Sequence, residues 1–170
     1  LGKFDFFNMD LAGSMREYQR AIELKPNYAT AHQWLGNDSL VSFGRFDEAI
    51  AEGKRAVELD PLSPVINADL GVTLYLARRY DDAMEQLRKT LAIDPTFFYA
   101  HYNIGIALQL KGDLPGAITE YEKAKQLSYD PFVLALLGAA KGLAGDKHAA
   151  EQALKDLDQT AQSQGVDEYS

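Results

Sequence analysis

Three histidines, His32, His101 and His148, are the side chains of this sequence best suited to metal binding or acid–base chemistry. A zinc site needs several ligands clustered within bonding distance of one ion. His32 and His101 fall on the same phase of an internal repeat, two repeat units apart, which is too far for a shared ion. We therefore expect them to pack between helices, with one ring nitrogen hydrogen-bonded.

Other stretches that look like chemical motifs each lack a required residue. The glycine-rich stretch 138–147 has no Gly-Lys-Ser/Thr ending, so it does not form a phosphate loop. The stretch 156–167 begins like a calcium loop, but Ala161 stands where glycine is required and no glutamate closes it. The His-Glu-x-x-His motif and the serine-hydrolase elbow are both missing. The sequence predicts no catalytic residue, no metal site and no cofactor, and it argues against an enzyme.

Composition narrows the possible partners. The net charge of the 170 residues is -8, which argues against nucleic acid because clustered lysine and arginine drive phosphate binding. There is no cysteine, which fits a reducing compartment, and we expect a cytoplasmic protein. No apolar run approaches the roughly 20 residues that span a bilayer. The first residues lack both a signal-peptide layout and an initiating methionine, so we expect a piece of a longer chain.

A repeat of about 34 residues organises the chain. Glycines that follow an aliphatic residue recur at intervals of 34, 35, 34 and 33 residues, namely Gly2, Gly36, Gly71, Gly105 and Gly138. Between them the apolar residues keep helical spacing, which predicts two helices of about 14 residues per unit. The turn that joins the two helices is expected at Gly44, Gly112 or Gly145. Prolines at 61 and 95 end the second helices at Asp60 and Asp94.

One unit departs from this pattern. An extra residue stands between Gly36 and Ala49, near residues 37–39. It predicts a bulge in the first helix or a longer turn at 42–44. Gly53 also replaces a large residue that the other units carry at the same phase, so we expect looser packing there.

The chain resembles the tetratricopeptide repeat family. The resemblance rests on the period, on the Leu-Gly pair in the first helix (Ile104-Gly105 in one unit), on the Ala-x3-Tyr/Phe pattern in the second helix and on the closing proline. The resemblance implies an all-α, right-handed superhelical solenoid of antiparallel helix pairs. One array would cover residues 1–162, followed by a polar tail at 163–170. Its units would be a partial repeat at 1–28 and full repeats at 29–63, 64–97, 98–130 and 131–162.

The resemblance also implies a function, a protein–protein interaction scaffold that binds a peptide or partner helix in a concave groove. The phases that face this groove fall on Gln33, Asn37, Val72, Tyr75, Tyr99, Tyr102, Ile106, Gln109 and Phe132. The alternative that several of these side chains are buried between repeats stays open. The basic residues of the carboxylate clamp are replaced here by Gln33, Val65 and Asp69, so an acidic chaperone tail is not the expected partner.

A second reading is a regulatory or sensory segment of a larger bacterial signalling or transcriptional protein. Phe4, Phe6 and Phe7 have no preceding repeat to cover them. We therefore expect them to contact a flanking segment or a second copy of the chain, which would make a homo-oligomer through the N-terminal edge.

Overall fold

Helices make up all the regular secondary structure of residues 11–166, the part of the chain that the computed structural model describes. In chain order they are α1 (Leu11–Leu24), α2 (Ala29–Trp34), α3 (Phe46–Leu59), α4 (Pro64–Leu76), α5 (Tyr80–Ile93), α6 (Phe98–Lys111), α7 (Leu114–Leu127), α8 (Pro131–Leu143) and α9 (Lys147–Val166). Side chains are described as far as residue 159. Phe4, Phe6 and Phe7 lie outside the described residues, so their contacts and the expected homo-oligomer stay predictions.

Helix ends follow the local signals of the sequence. α3 ends at Leu59 with Asp60 as its C-cap, as the following proline predicts. At the start of α7 the Asp113 Oδ1 accepts a hydrogen bond from the Gly116 N–H at 3.0 Å. Asp130 caps α8 in the same way, because its Oδ1 accepts from the Phe132 N–H at 2.8 Å. Such caps satisfy amide groups that the helix itself leaves without a partner.

The turns inside the helix pairs use a left-handed residue. Gly44, Gly112 and Gly145 have φ values of +70°, +88° and +94°, which confirms the predicted turn positions. In the unit that has no glycine there, Arg78 takes φ +62°. The residue after each of these donates its backbone N–H five residues back, as Arg79 does to the Leu74 carbonyl at 2.9 Å.

The extra residue of the 29–63 unit lies inside its first helix. In the turn that follows, the Arg45 N–H donates a hydrogen bond to the Leu40 carbonyl, as Arg79 does to the Leu74 carbonyl in the next unit. Leu40 and Leu74 are therefore equivalent positions. Gly36 stands four residues before Leu40, whereas Gly71 stands three before Leu74. Between these points the backbone is π-helical, over Leu35–Leu40. A π-turn absorbs one residue without breaking the helix, so the predicted bulge is confirmed and the turn keeps its usual length.

Contacts divide the chain into two compact units, Leu1–Gln86 and Leu87–Ser170, with the boundary inside α5. In the first unit, one apolar cluster contains Leu35, Leu40 and Ala49. A second cluster of the same unit contains Ile50, Leu70, Leu74 and Ala83. In the second unit the core cluster contains Ala117, Tyr121, Leu137 and Ala140. Burial of these stripes, which no single helix could achieve, is what holds each unit together.

Small residues allow close approach of the paired helices. A Cβ placed on Gly36 would stand 2.8 Å from the Ala49 carbonyl oxygen, which is closer than Cβ atoms come to other heavy atoms in proteins. Glycine is therefore required there. The packing around Gly53 is closer than the sequence suggested. The Leu70 Cδ1 lies 3.0 Å from where a Gly53 Cβ would stand, and the gap that remains is too small for a water molecule.

Candidate functional site

Two histidines hold the helix pairs together. His101 Nδ1 lies 2.7 Å from Glu120 Oε2, and His32 Nδ1 lies 2.6 Å from Glu52 Oε2. The other ring nitrogen of His32 lies 3.0 Å from the Pro26 carbonyl. These contacts confirm the predicted interhelical packing. Among residues 11–166, no group of three or more histidine, aspartate or glutamate side chains could hold a metal ion.

The carboxylate of Glu120 is held mainly in its charged form. Burial alone would raise the pKa of Glu120, but hydrogen bonds from Lys123 and His101 outweigh burial and lower it. Lys123 Nζ donates to Oε1 at 2.7 Å, so both carboxylate oxygens have a partner. Through these contacts the carboxylate joins α7 to His101 of α6.

In the first unit, two predicted groove residues join α2 and its π-helical continuation to α4. Gln33 is buried, and its Nε2 donates to Asp69 Oδ2 at 2.6 Å. Asn37 is half-buried, and its Oδ1 accepts a long hydrogen bond from Thr73 Oγ1 at 3.4 Å. Burial raises the pKa of Asp69, and the hydrogen bond from Gln33 only partly offsets this. Gln33 and Asn37 thus serve packing, and their contact with a partner stays a prediction.

Four more predicted groove residues also have packing contacts. Val72 is buried in α4. Tyr75 packs on the cluster of the first unit that contains Leu70 and Leu74. In the second unit Ile106 packs on the cluster that contains Tyr121. The Tyr121 hydroxyl donates to Gln109 Oε1 at 2.9 Å. For these four residues as well, a role in a groove stays a prediction.

The remaining three predicted residues meet in one cavity, which we call the α6–α8 pocket. It has a volume of about 130 Å³ and is lined by Phe98, Tyr99, Tyr102, Asp130 and Phe132. The first three lie on one face near the start of α6, since residues three and four apart are neighbours on a helix. The last two come from the start of α8, where the Asp130 cap fixes the backbone.

The walls of the α6–α8 pocket are aromatic. Tyr99 and Tyr102 stack with ring centroids 6.0 Å apart and planes at 20°. Phe98 meets Tyr99 edge-on, at 6.5 Å and 69°. Phe132 is 73% exposed, whereas the two tyrosines are half-buried. The pocket therefore offers a large apolar surface that water can still reach.

One carboxylate lies among these rings. Burial raises the pKa of Tyr102, and the negative charge of Asp130 raises it further. Asp130 thus acts electrostatically on the pocket while its Oδ1 caps α8. Sequence reasoning missed Asp130 and Phe98. An aspartate before a proline indicates only a helix cap, so no local signal marked it as a site residue.

A second cavity of about 230 Å³ lies between α8 and α9. Its lining is entirely apolar and consists of Ala135, Gly138, Ala139, Gly142, Ala150, Ala153, Leu154 and Leu157. Because no polar side chain lines it, this cavity is poorly suited to orienting a ligand. The α6–α8 pocket is therefore the better candidate for recognition.

Comparison with known proteins agrees with this architecture. Two family profiles described as "Tetratricopeptide repeat" match residues 10–64 and 40–102. No curated protein sequence matches. Among solved structures, a crystal structure of MamA is similar with a TM-score of 0.74 and 22% identity, covering 92% of each chain. TTC0263, a thermophilic TPR protein of Thermus thermophilus, has a TM-score of 0.73 and 20% identity, over 89% of this chain and 88% of that one.

A third structure is that of YrrB, described as a TPR protein with an unusual peptide-binding site. Its TM-score is 0.62 at 19% identity, and the match covers 86% of this chain and 76% of YrrB. At such identities the likeness shows the fold alone. It confirms the all-α solenoid of helix pairs predicted from the sequence.

Proposed function

Because the chain belongs to the tetratricopeptide repeat family, we propose that it binds a peptide or a partner helix, with the α6–α8 pocket as the main contact. The family makes it a protein-interaction scaffold. The observation that carries the finer proposal is the convergence of Tyr99, Tyr102 and Phe132 in one cavity. Aromatic side chains are favoured at interfaces because they combine a large contact area with few rotatable bonds.

The size of the pocket favours a side chain over a small molecule. Small-molecule sites usually measure about 300–1,000 Å³, whereas this cavity measures about 130 Å³. That space suits one protruding side chain of a peptide. The exposed ring of Phe132 extends the apolar surface beyond the cavity, where the rest of a peptide would lie.

The polar contacts of two histidines are structural. The two described histidine–glutamate pairs link helices, and no metal-binding group is found in residues 11–166. None of the helices in this range is long and apolar enough to cross a membrane. Phe4, Phe6 and Phe7, for which a contact with a flanking segment was predicted, lie outside the described residues, and no described residue favours the alternative reading as a regulatory or sensory segment.

A random peptide library displayed on phage, selected against the whole chain, tests the proposal. The affinity of each selected peptide is then measured by fluorescence anisotropy for the wild type, Phe132→Ala and Leu143→Ala. Leu143 is a matched control, because it lies on the same helix, is 67% exposed and does not line the pocket. Both variants remove an exposed side chain, so circular dichroism should show the same fold.

We expect Phe132→Ala to weaken binding roughly tenfold or more, as loss of a central aromatic contact does. Leu143→Ala should leave the affinity nearly unchanged. If no peptide is selected, or if the two variants bind equally well, the proposed function is wrong.

A further inference from the structure

The lining of the α6–α8 pocket indicates the chemistry of its occupant. We propose that the pocket receives the positively charged side chain of a lysine or an arginine of the bound peptide. This inference rests on the proposed function of the same pocket, and it names the residue type that the pocket selects.

The first argument is the arrangement of the rings. A cation is attracted to the face of an aromatic ring when it lies within about 6 Å of the ring centroid. The pocket brings four rings together, from Phe98, Tyr99, Tyr102 and Phe132. In a cavity of about 130 Å³, a single charged group stands close to several of them at once. The aliphatic stem of a lysine or arginine can pack on the same rings while its charged end stays within reach of water and of the Asp130 carboxylate.

The second argument is charge. Asp130 is the one ionisable carboxylate among the five lining residues, and none of the five is basic. The start of α8 carries the positive end of the helix dipole, equivalent to roughly half an elementary charge. The full negative charge of Asp130 outweighs it. The raised pKa of Tyr102, caused by burial and then by Asp130, agrees with a negative potential at this wall.

The third argument is that acidic and neutral apolar side chains would interact less favourably with the α6–α8 pocket. An acidic side chain would meet the Asp130 carboxylate and the negative faces of the rings, so it would be repelled. A neutral apolar side chain would gain contact with the rings but would leave the carboxylate without a counter-charge. The net charge of -8 for the whole chain also attracts basic partners over longer distances.

Asp130→Asn is the decisive variant. Asparagine caps a helix about as well as aspartate, so α8 keeps its start while the pocket loses its charge. Asp113→Asn is the matched control, because Asp113 caps α7 with the same Oδ1 bond and does not line the pocket. Equal melting temperatures of the two variants would show that the change at Asp130 has not disturbed the fold.

The probes are Nα-acetyl-arginine amide and Nα-acetyl-lysine amide, with the uncharged citrulline and norleucine derivatives for comparison. They are titrated into the whole chain, and the ring protons of Tyr99, Tyr102 and Phe132 are followed by NMR. We expect at least one charged probe to shift these signals saturably, and its uncharged counterpart to bind roughly fivefold more weakly. Asp130→Asn should weaken the charged probe by a similar factor, and Asp113→Asn should not.

Equal binding of charged and uncharged probes, no saturable shift with any probe, or no effect of Asp130→Asn would overturn the inference. The outcome is separable from that for the proposed function. If binding of the selected peptides depends on Phe132 but persists when every basic residue of the peptide is replaced, the proposed function stands and this inference is wrong.

Discussion

His101 and Glu120, whose side chains meet at 2.7 Å between α6 and α7, occupy the same repeat positions as Asn67 and Gln86. In that earlier pair the Gln86 Nε2 donates to Asn67 Oδ1 at 2.7 Å. Chemically different pairs thus make the same bridge between the two helices of a repeat. The position demands a donor and an acceptor at the right distance, and it does not demand a charge.

The two pairs should therefore be exchangeable. His101→Ala should reduce the free energy of unfolding by about 1–2 kcal/mol, because it removes the hydrogen bond and leaves Glu120 with Lys123 alone. The double variant His101→Asn/Glu120→Gln copies the Asn67–Gln86 pair and should lose less than half as much. Urea unfolding followed by circular dichroism measures both. A double variant no more stable than His101→Ala would show that the histidine ring itself is required.

The carboxylate of Asp69 should make stability depend on pH. Burial raises the pKa of Asp69 in the folded chain above the unfolded value of 3.8. As pH rises past 3.8, the unfolded chain loses its proton first, so ionisation disfavours the folded state. This cost is absent below the unfolded pKa, grows until pH exceeds the folded pKa, and is constant above it.

Asp69→Asn removes that cost and keeps an acceptor for the Gln33 Nε2. We expect the melting temperature of Asp69→Asn to exceed that of the wild type at pH 7. The difference should shrink as pH falls towards 4, because the wild-type carboxyl then takes up its proton. Asp113→Asn, at an exposed helix cap, is the control. A difference that stays constant between pH 7 and pH 4 would contradict this account.

The repeat could be read from the sequence because its signals are local. The spacing of Gly36, Gly71 and Gly105 fixes the phase of the helices, and prolines fix where second helices end. The extra residue near 37–39 could be recognised only because the phase was known. The sequence left two outcomes open for it, a bulge or a longer turn. The hydrogen bond of the turn, from the Arg45 N–H to the Leu40 carbonyl, has the same spacing as in the other units, so the extra residue forms a bulge in the helix.

The candidate site was only partly predictable because it depends on the contact of separate helices. Tyr99, Tyr102 and Phe132 were predicted from their repeat phase, which the family resemblance supplied. Gln33 shares the phase of Tyr102, yet it is buried and donates a hydrogen bond to Asp69 on the neighbouring first helix. Asp130 joins the pocket because the start of α8 lies near the start of α6, and no local pattern of the sequence records that proximity.

The left-handed turn at Arg78 offers a stabilising substitution. In this left-handed conformation the Cβ of a side chain crowds the following carbonyl oxygen, which destabilises the fold by roughly 1–2 kcal/mol. Glycine has no Cβ and avoids this strain. Arg78→Gly also frees the unfolded chain, which offsets part of the gain. We expect a net increase in stability of about 0.5–1 kcal/mol, measured by urea unfolding. The reverse change at the equivalent turn, Gly112→Arg, should destabilise, since Gly112 has φ +88°.

Gly105 should not tolerate a side chain, because Tyr121 fills the space beside it. A Cβ built on it would overlap the Tyr121 ring, standing 2.6 Å from its Cδ1. Tyr121 is fully buried and its hydroxyl is held by Gln109, so the ring cannot easily move away. Gly105→Ala should therefore destabilise by about 1–3 kcal/mol, despite the better helix propensity of alanine.

Gly142→Ala is the matched control for this substitution. It makes the same change in α8, where a Cβ would stand 3.2 Å from the Ala150 Cβ, so a shift of only a few tenths of an ångström would relieve the contact. Alanine gains up to about 1 kcal/mol over glycine inside a helix, so this variant should be near neutral in urea unfolding. Adding Tyr121→Leu to Gly105→Ala should cost less than the sum of the two single changes, because the smaller side chain removes the overlap. Additive losses would mean that Gly105 is needed for something other than its contact with Tyr121.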